Sequence, residues 1–364
     1  MKDIKIYGFG SNYCGQLNLD DETGTTEIPI CVNDIDMLRG KNVVKLVCGK
    51  MHVLVLCENN ELYGWGVNDD HALGSDFSDH DLCRQIPFKY KIVDIYAGTS
   101  YSAILTKEGR VYTCGTFKSA NGILGYDFNN NFGKMFQLVP ELRRIKKLAG
   151  NYNHLLCIDS QGSIWGMGDN ESLQLGKKES LRNRKYSLFP TLVKSKFKKK
   201  FIKVSGGTYH TMAITEDNKV SGWGGNYTGQ LGDGTLESTM YKRELELNNI
   251  VDVSCSNSHT LFLDGEGTVY GCGDNRDGQL GVKEKKDFIK PIEITKNVCK
   301  IRTGNSFSVV QKGNELFATG CNVEKQCGVK QPSSLYEFTR INFDFGEIID
   351  FSVGGSFVIV ISKK

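Results

Sequence analysis

Only 6 of the 364 residues are proline, and only 3 are tryptophan. No run of apolar residues reaches the length that crosses a bilayer as a helix, and no signal peptide is visible. The 12 cysteines contain no Cys-x-x-Cys pair, so neither a zinc site nor a redox dithiol has the spacing it needs. Most of them lie inside apolar runs, as Cys57 does, and read as small buried hydrophobes in a reducing compartment. Enzyme signatures are missing too. There is no Gly-x-x-x-x-Gly-Lys-Ser/Thr, no His-Glu-x-x-His and no Gly-x-Ser-x-Gly. Gly8-Phe9-Gly10 lacks the third glycine of a dinucleotide fingerprint. Carboxylate pairs such as Asp69/Asp70 fall in polar stretches and read as solvated loop charge. These absences lead to an expectation of no catalytic residue, no metal and no cofactor, in a protein of the cytoplasm, the nucleus or both.

What is abundant is glycine, at 41 residues, and it is periodic. Tyr7-Gly8-Phe9-Gly10 recurs as Tyr63-Gly64-Trp65-Gly66, Tyr112-Thr113-Cys114-Gly115 and Trp165-Gly166-Met167-Gly168. It returns as Ser221-Gly222-Trp223-Gly224, Tyr270-Gly271-Cys272-Gly273 and Phe317-Ala318-Thr319-Gly320. Two places after the final glycine stands asparagine in six of the seven: Asn12, Asn68, Asn170, Asn226, Asn275 and Asn322. Gly-Gln-Leu-Gly follows, most clearly at Gly229–Gly232 and Gly278–Gly281. A period near fifty residues means an array or a ring rather than a succession of unrelated domains.

Each repeat carries apolar or β-branched runs of strand length, such as His210–Thr215, and a turn cluster such as Glu216-Asp217-Asn218. The end repeats decide between open array and closed ring. The last has its first strands but no second hairpin strand, and the first supplies that strand at Ile4–Tyr7. Joined, they complete one repeat and leave no free sheet edge. The expected fold is all-β: a seven-bladed β-propeller closed by pairing of the N- and C-terminal strands. It forms a single domain over residues 1–364, the seventh blade being shared by 1–20 and 340–364.

The stretch from Gly207-Thr208-Tyr209-His210-Thr211 to Gly229-Gln230-Leu231-Gly232 resembles the repeat of the regulator-of-chromosome-condensation family. The resemblance covers essentially the whole chain. It implies a seven-bladed propeller. It also implies that the chain binds another protein, such as a Ran-like small GTPase whose nucleotide it would release by inserting protein surface. The family's exchange wedge is a hairpin inserted within one blade, and the sequence shows no obvious counterpart. The chromatin-bound member of the family carries a basic tail ahead of its propeller, whereas here the first strand begins by Ile4.

Four histidines, His52, His154, His210 and His259, occupy equivalent places, where other repeats offer Tyr101, Phe307 and Phe357. One catalytic site cannot need the same residue in four blades. They read, with Gly10, Gly66, Gly115, Gly168, Gly224, Gly273 and Gly320, as structural repeat positions.

Net charge is +3 and unevenly spread. Residues 177–203 hold eleven Lys/Arg and one acid, a balance of +10, which leaves 3 − 10 = −7 for the rest. Within it, Arg182, Arg184, Lys185, Lys194, Lys196, Lys198, Lys199 and Lys200 are the candidate partner-binding residues. Three functions follow from these features. The chain is a monomeric regulator of a small GTPase, of guanine-nucleotide-exchange type. Alternatively, it is a non-catalytic scaffold or accessory subunit. In a third reading, the 177–203 loop attaches it to chromatin or nucleic acid. No membrane association is expected.

Overall fold

The computed structural model describes all residues except 1–3, 20–23, 33–36, 39, 77–81, 120, 128, 152, 179–183, 194–198 and 364. Seven four-stranded antiparallel sheets form the blades of a ring, with one extra two-stranded sheet. Blades 1 to 6 occupy residues 43–86, 92–138, 145–192, 201–244, 250–295 and 300–340. Blade 7 combines Glu347–Val353 and Phe357–Lys363 with Ile4–Ser11 and Thr25–Cys31. Ile4 pairs with Lys363 and Gly10 with Phe357, so the ring is closed by its two ends. The N-terminal share of this blade runs past residue 20, because Thr25–Cys31 is its outermost strand.

Why the second strand of each blade is a continuous apolar run now has a reason. His52–Cys57 and His259–Asp264 are buried at every position. Blades pack face to face around the ring, so a middle strand has both faces covered and cannot alternate. The core is divided accordingly into seven clusters, one at each seam between neighbouring blades. Val53, Trp65, Phe357 and Ile359, for example, join blade 1 to blade 7. Such a core resembles that of a repeat array, where each unit leans only on its neighbours.

The repeat glycine has a geometric cause. The final glycine of every Gly-x-Gly has φ between +84° and +109°. A Cβ there would lie 2.1–2.6 Å from a backbone carbonyl oxygen of the turn that precedes the aromatic position. No other residue satisfies both conditions.

Candidate partner-binding site

The two faces of the ring are built differently. One, the Asn-loop face, carries the loops that follow each Gly-x-Gly. The other, the turn face, carries the tight turns between second and third strands.

On the Asn-loop face the repeat asparagine staples its loop. Asn275 Oδ1 accepts from Leu280 N at 2.9 Å, while its Nδ2 donates to Val282 O at 2.9 Å and Glu284 O at 2.7 Å. Asn12, Asn68, Asn170, Asn226 and Asn322 each accept from the amide five residues on. The following glutamine closes the turn, as Gln279 Oε1 does from Asp277 N at 3.0 Å.

The four repeat histidines are buried and link blade to blade. His210 Nε2 lies 2.7 Å from Thr260 Oγ1 in the next blade, His259 Nε2 2.9 Å from Ser308 Oγ, and His52 Nε2 2.9 Å from Ser102 Oγ. His154 reaches Thr211 Oγ1 at 3.4 Å. Thr260, Ser308 and Thr211 hydroxyls donate to the carbonyls of Gln230, Gln279 and Gln174. Their oxygens therefore accept from the histidines, which assigns the neutral Nε2–H tautomer. Burial holds the imidazoles neutral, with pKa values lowered to about 4 for His52 and about 3 for the other three.

Blade 2 breaks this pattern. Phe117 stands where the asparagine should be. Instead of a stapled loop, a β-hairpin, Phe117–Ser119 with Gly122–Gly125, leaves the ring on the Asn-loop face. This corrects the reading that no inserted hairpin was recognisable. The signal lay in Asn121-Gly122, a hairpin dipeptide between two short β-formers. The base of the hairpin is anchored by buried Phe117, Leu124 and Tyr126, and Phe117 packs on Tyr101 with ring centroids 4.5 Å apart. Tyr101 replaces the histidine here, and its hydroxyl donates to the carbonyls of Asn151 and His154 in blade 3. Towards the tip, Lys118 pairs with Asp70 of blade 1, and Asn121 Nδ2 donates to Glu171 of blade 3 at 2.8 Å. Ile123 is 49% exposed, the one large apolar side chain the hairpin shows to solvent among its described residues.

The basic candidates do not form one patch. Arg184, in a short 3-10 helix Arg184–Leu188, pairs with Glu171 at the flank of the hairpin. Lys185 reaches Asn131 on that side. Lys199 and Lys200 sit on the opposite, turn face: Lys199 pairs with Asp217, and the Lys200 carbonyl accepts from Glu216 N at 2.9 Å. The strand between, Thr191–Leu192, is the outer edge of blade 3, so the chain crosses from face to face. Arg182, Lys194, Lys196 and Lys198 lie outside the described residues. The turn face gains basic residues from an unforeseen source, the exposed Arg143, Arg144, Lys146 and Lys147 at the start of blade 3.

Among the described residues no cluster of His, Cys, Asp and Glu could hold a metal ion. Nor is any helix there long and apolar enough to cross a membrane.

A ring of seven glycine-anchored blades with stapled loops is the hallmark of one repeat class. The model of the RCC1-like domain matches residues 5–360, and the chain belongs to that family. Protein pim1 of Schizosaccharomyces pombe is 30% identical over 247 residues, which cover 63% of this chain and 45% of that protein. The guanine nucleotide exchange factor SRM1 of Saccharomyces cerevisiae is 31% identical over 226 residues, 52% of this chain and 46% of that protein. The chain thus spans about half the length of these curated relatives. The crystal structure of Prp20p from Saccharomyces cerevisiae, described with its binding to Gsp1p and histones, superposes with a TM-score of 0.93 at 24% identity. The superposition covers all of this chain and 92% of that one.

Proposed function

We propose that this propeller regulates a small GTPase as a guanine-nucleotide exchange factor, with the hairpin 117–125 as its working element. One observation carries the reading: blade 2, the blade that lacks the repeat asparagine, projects a braced hairpin with an exposed apolar residue. The resemblance to an exchange factor supports the same reading. Exchange needs no nucleophile or base. A protein that binds the nucleotide-free GTPase more tightly than the loaded one lowers the barrier to release. A rigid ring holding a small wedge suits that task, because little freedom is lost when the two surfaces meet.

The test is release of labelled GDP from Ran-type GTPases by purified protein. Acceleration is expected, and Ile123→Asp should lower it about tenfold or more, a loss of about 1.4 kcal/mol in transition-state binding. The melting temperature should stay put, because Ile123 is half-exposed. No acceleration with micromolar protein would sink the proposal.

A second reading, attachment to an acidic protein or nucleic-acid surface, is favoured by Arg143, Arg144, Lys146, Lys199 and Lys200 on the turn face. Reversing Lys199 and Lys200 to Glu should weaken such binding and flatten its salt dependence. Unchanged salt dependence would remove it.

A further inference from the structure

The seven innermost strands line a central channel of about 290 Å3. Each contributes a charged residue seven places before the aromatic position of its blade. In order around the ring these are Lys45, Asp94, Lys147, Lys203, Asp252, Lys300 and Asp350, of which Lys45, Lys203, Asp252 and Asp350 line the channel itself. Three ion pairs bridge neighbouring blades: Lys45–Asp94, Lys203–Asp252 and Lys300–Asp350. In each, a lysine reaches forward to the aspartate of the next blade.

Seven is odd, so charges cannot alternate all the way round a closed ring. At least one pair of neighbours must share a sign. Here that seam falls between blades 3 and 4, where Lys147 stands beside Lys203. Lys147 reaches forward like the others and meets no aspartate. Its ammonium donates instead to the Ile202 carbonyl at 2.8 Å, and it has no carboxylate partner among the described residues. Asp252 cannot serve both lysines. It already faces Lys203 and, at 3.6 Å, Arg302 from two places further along its neighbour's inner strand. With Lys45–Asp94 and Lys300–Asp350 paired off, Lys147, Lys203 and Arg302 stand against Asp252 alone, a surplus of two positive charges, although Asp94 also accepts from Leu148 N beside Lys147 at 3.2 Å.

We propose that the turn-face mouth of the channel binds one phosphate group between Lys147 and Lys203. Beyond the Ile202 carbonyl and the Asp252 pair, the two ammonium groups keep up to four N–H donors, two on each lysine. A phosphate dianion matches the surplus charge of the sector, which a carboxylate or chloride meets only by half. The group is either free inorganic phosphate or the phosphate of a modified side chain on a partner. The proposal does not depend on exchange activity, which would reside on the opposite face.

The test is titration of inorganic phosphate into the purified chain at constant ionic strength, followed by calorimetry and phosphorus resonance. One saturable site is expected. Lys147→Gln should weaken it at least about tenfold, as expected for loss of a charge-assisted donor pair. Lys147→Arg and Lys146→Gln should leave it within about twofold. A short neutral peptide carrying phosphoserine forms the second arm. Tenfold tighter binding than inorganic phosphate assigns the site to a partner's side chain, and equal binding assigns it to the free ion. Chloride competing as well as phosphate, or Lys147→Gln titrating like the parent, overturns the proposal. If Lys147→Gln does not fold, saturation of the parent protein by phosphate but not by chloride decides.

Discussion

Blade 5 and blade 2 are built from the same repeat and end in opposite ways. Blade 5 keeps every element: His259 tied to Ser308, Asn275 holding three backbone groups, Gln279 closing the turn. Its loop is over-determined by buried hydrogen bonds. Blade 2 substitutes Tyr101 for the histidine and Phe117 for the asparagine, and the chain between them and the outer strand is free to become a hairpin. That hairpin is held at its base by aromatic packing and at its flanks by surface polar contacts. Structure is over-specified in the repeat loop of blade 5 and lightly held in the hairpin of blade 2, which is the element proposed to meet a partner.

The largest effect that separates the two blades is on acid stability. Blades 1, 3, 4 and 5 each bury a neutral histidine, with folded pKa values of about 3 to 4 against 6.5 in an open chain. A group with a depressed folded pKa stabilises fully above its unfolded value and loses that contribution as pH falls below it. Unfolding near pH 5 should therefore take up close to four protons, a slope of about 5 kcal/mol per pH unit. His259→Tyr, which gives blade 5 the residue of blade 2, should remove one proton from that count in urea melts across pH 4.5–7. An unchanged slope would show that the ring histidines are protonated in the fold.

Glycines come next. Gly273 and Gly122 have nearly the same φ, +96° and +101°. A Cβ on Gly273 would sit 2.3 Å from the Ser258 carbonyl oxygen, whereas one on Gly122 meets nothing within 4 Å. Gly273→Ala should cost about 3 kcal/mol or more and Gly122→Ala about 1 kcal/mol, measured by denaturant midpoints. Equal losses would mean that dihedral strain, not the ring's close packing, explains the repeat glycine.

A smaller difference is expected for asparagine. Asn275→Ala leaves buried backbone groups without partners and should cost about 2 kcal/mol. Asn121→Ala, at the exposed hairpin tip, should stay within about 0.5 kcal/mol. Lys118→Ala, which breaks the pair with Asp70, should likewise have a small effect and shift stability by no more than about 0.5 kcal/mol. A large loss from Lys118→Ala would make the hairpin part of the folding unit rather than an appendage to it.

Much of the architecture was readable in residue order. The glycine spacing, the asparagine two places later and the two half-repeats at the ends lead directly to a closed ring of seven blades, and the chain pairs Ile4 with Lys363 as that reading requires. What residue order hid is what depends on chain direction and on neighbours across the ring. The run of lysines and arginines in 177–203 looks like one patch because it is contiguous. The strand Thr191–Leu192 carries it from one face to the other, so Arg184 and Lys199 cannot meet the same flat surface. The hairpin was hidden for a different reason. Ser119 to Gly122 is too short for a periodic signal, and only the Asn121-Gly122 dipeptide and the missing repeat asparagine mark it. The charged ring of the channel was invisible because its members lie about fifty residues apart and become neighbours only when the ring closes.

Closure also bears on how the chain is made. The partner of Ile4 is Lys363, 359 residues later. At about 5–20 residues per second on the ribosome, the strand Ile4–Ser11 waits on the order of tens of seconds for the strand that will cover it. Throughout that time this apolar β-strand, paired on one side with Thr25–Cys31, keeps its other edge unsatisfied, while six other blades can form behind it from local hairpins. Assembly of this ring is therefore a race between its last strand and any other edge that the first one meets.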